Sequence, residues 1–433
     1  MENPFELALM TIVSQEYVKK HIVHGTSRWV ASPGTMEEVV SLVRLASEYG
    51  KSVTPIGALR RLGTLFKDGQ AELWIETGRL CSIIEYSPED MVITVGAGMR
   101  LCDLQHELLK FNQFLPVDPV GDVDETLGGI VATNAWGPSR ALYGTLRDHV
   151  IGTRTVLANG DVVRTGGRVV KNVAGYDLTK LLVGSFGSLG VMIEITLRVR
   201  PYPTQRTVTL LSGSVADVDR ARAELMDATL IPSVFECVNT SLARTLTSSL
   251  GTHGALGTHG SLTLAVGCDE PVEGTAFQEG VLRAWSSSYS LEILTFTPEQ
   301  TAVLWEDYHM TLRTAATVLR VQGKPSTLIE IAGTLLAAVN QEWMWLSGCI
   351  PAGVLRLFFA ADDDAVALVT ACVSHLTACG LSLHYEKLPA DHHDFPSVSQ
   401  EIAIPDSKQT VHRLIYQAFD PAGLFSSTRL GGA

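Results

Sequence analysis

Three short segments in the first half of the sequence are rich in glycine and other small residues, and their backbones could bind an anion. They are "PIGALRRLG" at Pro55–Gly63, "TLGGIVAT" at Thr126–Thr133 and "GSFGSLGV" at Gly184–Val191. Bare backbone allows successive N–H groups to approach a phosphate, and the N-terminus of a helix adds to the attraction. Together the segments favour an extended ligand that contains a diphosphate. Tight packing of a helix against a strand also requires small residues, and for the second segment taken alone both interpretations stay open.

The composition excludes several classes of protein. The chain has 433 residues, with 33 Lys and Arg against 46 Asp and Glu and a formal net charge of −13. A nucleic-acid-binding protein needs clustered cations for the phosphates, so this balance argues against that class. We expect no membrane-spanning helix, because no run of about 18 apolar residues is present. The acidic N-terminus also lacks the basic segment of a signal peptide.

The seven cysteines are scattered and show no CxxC spacing. This pattern is typical of free thiols in a reducing compartment, and it predicts a cytoplasmic protein. It also predicts that the chain does not hold an iron–sulfur cluster of its own. The mean hydropathy of +0.18 is high for a lone monomer and favours an interface with a partner.

Periodicity and turn residues predict the elements that position the glycine-rich segments. The predicted elements are a helix over Thr35–Gly50, a buried strand "KSVTPIG", short strands "AELWIET", "CSIIEY" and "MVITVGAG", and a helix over Arg100–Phe111. The dipeptide Asn159-Gly160 between two β-rich runs predicts a hairpin. The alternation in "VMIEITLRVRPYP" predicts a half-buried strand that begins at Val191 and ends before Pro203.

The second half alternates strand-like and helix-like runs, which predicts an α+β domain with an antiparallel sheet and its helices on one face. We therefore expect a first domain over 1–203, an α+β domain over 204–405, and a C-terminal helix and tail over 406–433 that return to the first domain. The repeat "GTHGALGTHG" contains His253 and His259. Because no third ligand is close in sequence, a flexible loop is favoured over a metal site.

Longer strings of the first half carry a family resemblance. "GPSRALYGTLRDHVIG" and "GGRVVKNVAGYDLTKLLVGSFGSLG" resemble the FAD-binding subunits of bacterial glycolate oxidases, within the vanillyl-alcohol oxidase / p-cresol methylhydroxylase (PCMH) superfamily. The resemblance covers about Trp29–Pro203 and, more weakly, the tail "DPAGLFSSTRL". It implies an α+β fold in which a two-subdomain PCMH-type FAD-binding domain precedes an α+β domain with an antiparallel sheet. It also implies that FAD lies extended between the two subdomains.

The resemblance implies three groups of cofactor-binding residues. The segments Ile56–Arg60 and Thr126–Thr133 line the diphosphate, a second group lies near the flavin and ribityl part, and a third uses backbone groups near the adenine or ribityl end. The full set is Pro55, Ile56, Gly57, Ala58, Leu59, Arg60, Thr126, Gly128, Gly129, Ala132 and Thr133 for the first group, Arg147, Asp148 and Gly152 for the second, and Gly187, Gly190, Val191 and Ile193 for the third.

The first loop departs from the superfamily pattern. Where that pattern often reads Gly-Gly-Gly-Thr, this sequence has Leu59, Arg60 and Arg61. A guanidinium is a suitable bidentate partner for a phosphate. Some members tether the flavin through a His in this loop, and none is present here. We therefore expect FAD to bind non-covalently.

Several single residues have two interpretations each. Lys171 either stabilises the anionic reduced flavin or is a surface lysine. Arg147 and Asp148 form either a buried ion pair beside the cofactor or a direct contact to it. Trp136 is either a packing anchor under the glycine-rich segment or a stacking partner of the flavin. Arg140 contacts either a phosphate or a partner subunit.

Oxidation of a 2-hydroxy acid requires a cation for the carboxylate and a base for the hydroxyl proton. Arg313, Arg320 and Arg356 are candidates for the cation. The weak catalytic candidates are Lys171, Arg320 and His384.

We predict no metal site. Related 2-hydroxy-acid dehydrogenases carry the motif His-x-Gly-Asp-Gly-Asn-x-x-His, which is absent here, and the spacing of His384, His392 and His393 does not match it. Without a metal and a base, the flavin of this chain would accept or relay electrons within a complex.

Three functions follow from these expectations. The favoured one is the FAD-binding subunit of a glycolate oxidase complex, which passes electrons to a second FAD-containing subunit and an iron–sulfur subunit. Such a complex allows peripheral membrane association. The alternatives are a stand-alone FAD-dependent oxidase or dehydrogenase of another hydroxy acid or alcohol, and a non-catalytic scaffold subunit.

Overall fold

The computed structural model contains two regions built on β-sheets, and these regions pack against each other around Trp136. It describes residues 4–23, 26–58, 71–121, 124–167, 177–228, 230–251, 262–339, 344–362, 364–389, 394–398 and 406–425. The helices are α1 (Pro4–Ile12), α2 (Met36–Glu48), α3 (Leu101–Leu109), α4 (Leu127–Thr133), α5 (Arg140–Tyr143), α6 (Leu146–His149), α7 (Thr179–Leu182), α8 (Val215–Asp227), α9 (Thr240–Ser248), α10 (Val272–Ser288), α11 (Pro298–Arg313), α12 (Leu328–Ala338), α13 (Ala365–Ala378) and α14 (Asp406–Phe419).

The strands divide between the two regions. Those of the first are β1 (Val18–Val23), β2 (Thr26–Ala31), β3 (Val53–Ile56), β4 (Leu73–Glu76), β5 (Ile83–Ser87), β6 (Val92–Gly96), β7 (Gln113–Phe114), β8 (Val150–Val156), β9 (Val162–Gly166), β10 (Val191–Arg198) and β11 (Arg200–Pro201). Those of the second are β12 (Thr207–Gly213), β13 (Val234–Asn239), β14 (Leu262–Cys268), β15 (Glu292–Phe296), β16 (Thr317–Gln322), β17 (Met344–Cys349), β18 (Val354–Phe359) and β19 (Ser382–Lys387).

The first region contains two sheets and a two-stranded pair. The four-stranded sheet has the order β1-β2-β4-β3, in which β2, β4 and β3 run parallel. The five-stranded sheet has the order β5-β6-β10-β8-β9 and is antiparallel throughout. The predicted hairpin at Asn159-Gly160 joins β8 to β9, and Gly160 has a φ of +77°, a backbone conformation that favours glycine.

Strand β10 belongs to two hydrophobic cores. Val191 and Ile193 pack with α1, α2 and the four-stranded sheet, whereas Ile195 and Leu197 pack with α3 and α4. A register shift between Met192 and Glu194 separates these two halves of the strand. Because of it Met192 is also buried, in the second core. The predicted apolar face is buried, but the bulge divides it between two cores and turns Met192 inward, which the prediction of a half-buried strand did not include.

The second region is one eight-stranded sheet with the order β15-β12-β14-β13-β17-β18-β16-β19. All of its pairings are antiparallel, as predicted. Helices α8, α12 and α13 cover one face, but α9 and α11 pack on part of the other. The expectation of helices on a single face was therefore wrong. The rest of the second face meets the first region, where Trp136 packs on Cys349 and Val354.

The C-terminal segment returns to the first region. Ile415, Tyr416 and Phe419 of α14 pack on the core around α3 and α4. The N–H of Val53 then donates to Leu424 O at 2.8 Å, and Phe425 is buried against the four-stranded sheet. None of the described helices is long and apolar enough to cross a membrane. All seven cysteines are unpaired.

Candidate active site

The fold brings the three glycine-rich segments together. Gly57 follows β3, and a Cβ on it would collide with the hydroxyl of Thr126, which caps α4. Gly187 has a φ of +75°, and a Cβ there would lie 2.8 Å from Cγ of Pro55. The absence of these two side chains therefore lets a strand end, a helix N-terminus and a turn approach each other closely.

The first amides of α4 already have partners. Leu127 N–H donates to Met99 O at 2.8 Å, and Gly128 N–H donates to Ala97 O at 2.7 Å. The N–H of Gly129 donates to Thr126 Oγ1 at 3.3 Å. For Gly128, tight packing of the helix against the β6–α3 loop explains the residue type. The bare amides expected at this helix N-terminus are thus used within the protein.

Two buried polar atoms beside the third segment have no hydrogen-bond partner among the described residues. They are Oδ1 of Asn134, which lies next to Gly184, and Oγ1 of Thr155, which lies next to Gly190. Asn134 ends α4 in the left-handed conformation, with a φ of 48°. Buried polar atoms are nearly always satisfied, so orphans on both sides of one glycine-rich turn fit a ligand with polar edges such as FAD.

Other predicted cofactor residues have well-defined backbone roles. Phe186 N–H donates to Ala132 O at 2.8 Å, and Thr133 Oγ1 donates to Gly129 O at 2.8 Å. The O atom of Ile56 accepts from Thr77, and that of Ile193 accepts from Ala97 N–H. Four predicted positions remain. Ala58 is exposed after β3, and Val191 is buried in β10. Gly152 packs against Thr165 and Gly167, and Gly190 has a φ of +145°. Leu59, Arg60, Arg61, Lys171, His253, His259, His392 and His393 lie outside the described residues.

The predicted buried ion pair between Arg147 and Asp148 does not form. Both residues are exposed. Arg147 donates to Lys180 O at 2.6 Å, and Asp148 accepts from Thr145 N–H at 2.8 Å in a capping box of α6. Neighbouring residues of a helix point in different directions, which explains why the two charges are not paired.

A row of charged side chains crosses the eight-stranded sheet on the face that meets the first region. Arg320 of β16 lies directly opposite Arg356 of β18 and His384 of β19. Two like charges in this position would destabilise the sheet. The carboxylate of Glu386 lies between them, with Oε2 2.8 Å from Arg356 Nε and Oε1 3.7 Å from an Arg320 nitrogen. Three of the residues selected from the sequence thus lie side by side.

Trp136 joins this row to the first region. Its ring lies between two guanidinium groups, with Arg140 4.2 Å and Arg356 3.9 Å from the ring centroid. The ring is buried, as a packing anchor would be. Burial lowers the pKa of Arg140, and the positive charges of Arg356 and Arg320 add to this effect. Arg320 and Arg356 thus share the carboxylate of Glu386, which leaves a positive surplus of one charge for an anionic ligand, and Arg140 adds to the positive charge around the ring.

A neutral carboxyl group lies near the same row. Glu236 of β13 is 2% exposed, and burial raises its pKa to about 8. Ser347 Oγ donates to its Oε2 at 2.8 Å, and the Tyr308 hydroxyl is hydrogen-bonded to Ser347 Oγ at 2.8 Å. The other carboxyl oxygen has no partner among the described residues. Glu236 thus holds a proton at neutral pH.

A cavity of about 400 Å³ opens beside Glu386. Its walls come from the segment before α4 and from α11, β16, β18 and β19. Arg313, the third predicted cation, lines this cavity and is exposed. The candidate active site therefore consists of the glycine-rich cleft, the arginine row and this cavity. Among the described residues no group of three His, Cys, Asp or Glu could hold a metal ion.

The part of the chain that contains the first two glycine-rich segments matches a known protein family. Residues 27–166 match the family of the FAD binding domain. The chain carries a FAD-binding domain. The matched range contains the first two glycine-rich segments and the hairpin that follows them, and it ends just before the residues that carry the rest of the predicted cleft.

Relatives of the FAD-binding domain confirm the resemblance seen in the sequence. Glycolate oxidase subunit GlcD of Bacillus subtilis is 33% identical over 210 residues, 48% of this chain and 44% of that protein. Glycolate oxidase subunit GlcE of Escherichia coli is 45% identical over 122 residues, 28% of this chain and 35% of that protein. The mitochondrial D-lactate dehydrogenase [cytochrome] of Arabidopsis thaliana is 31% identical over 218 residues, 47% of this chain and 38% of that protein. The matched part spans less than half the length of each of these relatives.

A solved structure shares the fold over nearly the whole chain. An alkyldihydroxyacetonephosphate synthase superposes with a TM-score of 0.74 at 15% identity, covering 98% of this chain and 84% of that one. Together with the FAD-binding domain, this likeness confirms the predicted α+β architecture, in which an antiparallel-sheet domain follows the FAD-binding domain.

Sequence reasoning missed several residues of the site. Glu386 and Glu236 are strand residues whose partners lie far away in sequence, so no local pattern distinguishes them. The sequence does indicate a special position at Asn134, because Asn is one of the few residues other than Gly that end a helix in the left-handed conformation. Its position directly after the second glycine-rich segment could have identified it.

Proposed function

We propose that this protein is a FAD-dependent oxidoreductase that acts on the CH–OH group of a 2-hydroxy acid. The relatives of its FAD-binding domain are named as glycolate oxidase subunits and a D-lactate dehydrogenase, which supports this chemistry. The observation that carries the proposal is the pair of Arg320, which is partly exposed, and Arg356, which is buried, with the carboxylate of Glu386 between them. A substrate carboxylate would balance the positive surplus around Trp136.

The chain's own residues have separate roles in this proposal. The segments around Gly57, Thr126 and Gly187, with the other positions listed above, hold FAD non-covalently. Bound FAD supplies the hydride acceptor for the C2 hydrogen. Arg320 and Arg356 orient the substrate carboxylate, and Glu386 keeps the two guanidinium groups in place. His384 lies beside Arg320 in the same row and remains the candidate for holding the hydroxyl proton.

We further propose that the chain is the FAD-binding subunit of a glycolate-oxidase-type complex. It would pass electrons to a second FAD-containing subunit and an iron–sulfur subunit, and reach a membrane surface through them. The likeness to both GlcD and GlcE supports this assembly. The arginine row favours a chain with its own anion site over a non-catalytic scaffold. The cytoplasmic location also stays a proposal, supported by the unpaired cysteines.

The domain division belongs to the same proposal. The small sheets end at Pro201 and the large sheet begins at Thr207, which supports a boundary near 203. The packing of α14 and Phe425 on the first region supports a C-terminal unit that begins near 406.

An absorption spectrum tests the proposed function directly. The purified full chain should bind FAD, and a 2-hydroxy acid added without oxygen should bleach the flavin band. Denaturation with acid should release the flavin from the protein, because no covalent bond holds it. Mixing the reduced chain with the purified partner subunits should restore the band. A chain that stays colourless at saturating FAD would contradict the proposal.

A further inference from the structure

Glu236 lies on the same face of the eight-stranded sheet as the arginine row, two strands away from Arg356. Ser347 of β17 is directly opposite Arg356 of β18, and its hydroxyl donates to Oε2 of Glu236 at 2.8 Å. The Tyr308 hydroxyl of α11 is hydrogen-bonded to the same Ser347 oxygen at 2.8 Å. The carboxyl group of Glu236 is therefore separated from Arg356 by one serine side chain.

The surroundings of Glu236 disfavour a negative charge on it. A cavity of about 10 Å³ beside it is lined by aliphatic side chains of β12, β13, β14, α9 and α11, together with Trp305 and Tyr308. Glu236 is 2% exposed and makes no ion pair with the described residues. A buried carboxylate without a cationic partner is costly, so this geometry favours the protonated form. Burial accordingly raises the pKa of Glu236 to about 8.

The charged and titratable groups that face Glu236 come from several elements. Arg356 of β18 favours its ionised form, whereas Asp118, in the segment before α4, opposes it. Burial raises the pKa of Asp118 to about 6, so this carboxylate keeps a constant charge above about pH 7.5. Three further groups interact electrostatically with Glu236 and stay neutral because burial raises their pKa values: Tyr308, Cys237 and Cys349. Among these groups, Glu236 is thus the one whose charge changes between about pH 7.5 and 9.5.

The protonation of Glu236 decides the charge of the arginine row. While Glu236 is neutral, Arg320 and Arg356 exceed the carboxylate of Glu386 by one positive charge. An ionised Glu236 would place a second carboxylate near Arg356 and bring the net charge of these four groups to zero. Little water is present there to screen it, so its effect on a bound anion would be strong.

We propose that Glu236 is a positioning residue of the anion site, which must be protonated for Arg320 and Arg356 to bind the substrate carboxylate. This inference rests on the proposed function and adds one residue to its anion site. The proton stays on Glu236 throughout the reaction, and no bond of the substrate forms or breaks there. By linkage, a bound carboxylate also stabilises the proton on Glu236.

The pH dependence of anion binding tests the proposal. Oxamate is an unreactive analogue of a 2-oxo acid, and its binding to the full chain with bound FAD is measured by calorimetry between about pH 7.5 and 9.5. With a pKa of about 8, the fraction of protein with a protonated Glu236 falls to roughly 0.03 at the upper end of this range. The Kd for oxamate should therefore rise roughly 20- to 30-fold across the range.

Proton uptake is a second readout, and it requires no variant. Near pH 8 about half of the free protein has an ionised Glu236, so each bound oxamate should be accompanied by the uptake of about 0.5 proton. Calorimetry in two buffers with different heats of ionisation measures this number. The result stands even where a substitution impairs folding.

Three variants make the test specific to Glu236. Glu236→Gln cannot ionise, so its Kd for oxamate should change less than about twofold over the same range. Glu273 is exposed on α10, so Glu273→Gln is the matched control and should keep the full pH dependence. Ser347→Ala removes a hydrogen bond that favours ionised Glu236, so the loss of affinity should move to higher pH. FAD content and thermal unfolding confirm that each variant is folded.

The outcomes separate this inference from the proposed function. A Kd for oxamate that is constant over the range, or that changes equally in wild type and Glu236→Gln, would overturn the inference and leave the proposed function standing. Binding without proton uptake near pH 8 would overturn it as well. A chain that binds neither oxamate nor a 2-hydroxy acid at any pH would overturn both the anion site of the proposed function and the inference.

Discussion

The two regions of this protein form their candidate sites by different means. In the FAD-binding domain the candidate site is formed by the close approach of backbone segments: Gly57 and Gly187 allow a strand end, a helix cap and a turn to meet. In the eight-stranded sheet the candidate site is formed by charged side chains, which three strands (β16, β18 and β19) place in one row. Residues that shape backbone turns form short local motifs in the sequence. Residues that meet only across a sheet lie far apart in the sequence and form no such motif. This difference explains why the sequence indicated the FAD-binding domain but did not indicate the row of charged residues.

The two regions also differ in how they depend on buried charge. The row of Arg320, Arg356 and Glu386 is held by electrostatic pairing, and water is largely excluded from its Arg356 end. The glycine-rich cleft depends on shape. Substitutions in the two regions should therefore have different effects: a loss of unfolding free energy in the row of charges, and weaker FAD binding in the glycine-rich cleft.

The largest effect is expected for Glu386→Ala. This change removes the carboxylate between two arginines, of which Arg356 is 3% exposed. Breaking a buried ion pair by deleting one partner costs about 3–5 kcal/mol. The free energy of unfolding, measured in urea, should fall by that amount. A loss below about 1 kcal/mol would show that Glu386 is not needed to stabilise the two arginines. The two regions would then not differ in their dependence on buried charge.

Glu236→Gln should change how stability depends on pH. The pKa of Glu236 is raised by burial from its usual 4.5 to about 8. The folded protein thus keeps this proton where the unfolded chain loses it, so stability falls as pH rises from about 4.5 to 8. The groups that face it are Ser347, Arg356, Asp118 and Tyr308.

Gln has no proton to lose, so the variant should lack this contribution. Between pH 4.5 and 8 the difference in unfolding free energy between variant and wild type should change by roughly 3–4 kcal/mol in favour of the variant. Urea denaturation across this range measures it. Parallel curves for the two proteins would mean that Glu236 is ionised in the fold.

Gly57→Ala tests the FAD-binding domain. The added Cβ would collide with Thr126 and push β3 away from α4. Overpacking of this kind costs about 1–3 kcal/mol, which corresponds to a roughly 5- to 150-fold weaker Kd for FAD. Flavin fluorescence quenching measures that Kd. Gly78→Ala is the control, because no heavy atom lies within 4 Å of its added Cβ. An equal loss in both variants would argue against a cleft that depends on shape.

The smallest effect is expected for Asp103→Ala. Its carboxylate pairs with Arg100 at 2.8 Å, but the two side chains are 48% and 53% exposed. Exposed pairs contribute about 0–1 kcal/mol. The unfolding free energy should therefore change by less than about 1 kcal/mol, against the much larger change for Glu386→Ala. Similar losses in these two variants would remove the distinction between buried and exposed charge.

The sequence predicted what depends on neighbouring residues. The capped helix α2 and the hairpin at Asn159-Gly160 follow from local capping and turn chemistry, and the structure contains them together with the predicted C-terminal helix α14. The alternation of β10 was also visible, but its bulge was not, because the bulge is set by the register against β8.

What depends on distant pairing could not be predicted. Arg320 and Arg356 were only two of several arginines, and their position opposite each other is fixed by the pairing of β16 with β18. Glu236 is acidic in sequence, but burial in the fold raises its pKa to about 8 and favours the neutral form. Arg147 and Asp148 are adjacent in sequence, which suggested pairing, but helical geometry separates their charges.

The return of the chain's last described residues to β3 has a consequence for biosynthesis. Leu424 and Phe425 extend the four-stranded sheet next to Val53 and fill its core. A ribosome emits these residues only after the whole eight-stranded sheet has been made. The sheet that leads into the first glycine-rich loop therefore stays incomplete until Phe425 has been made, and the antiparallel-sheet domain has time to fold before that sheet is closed.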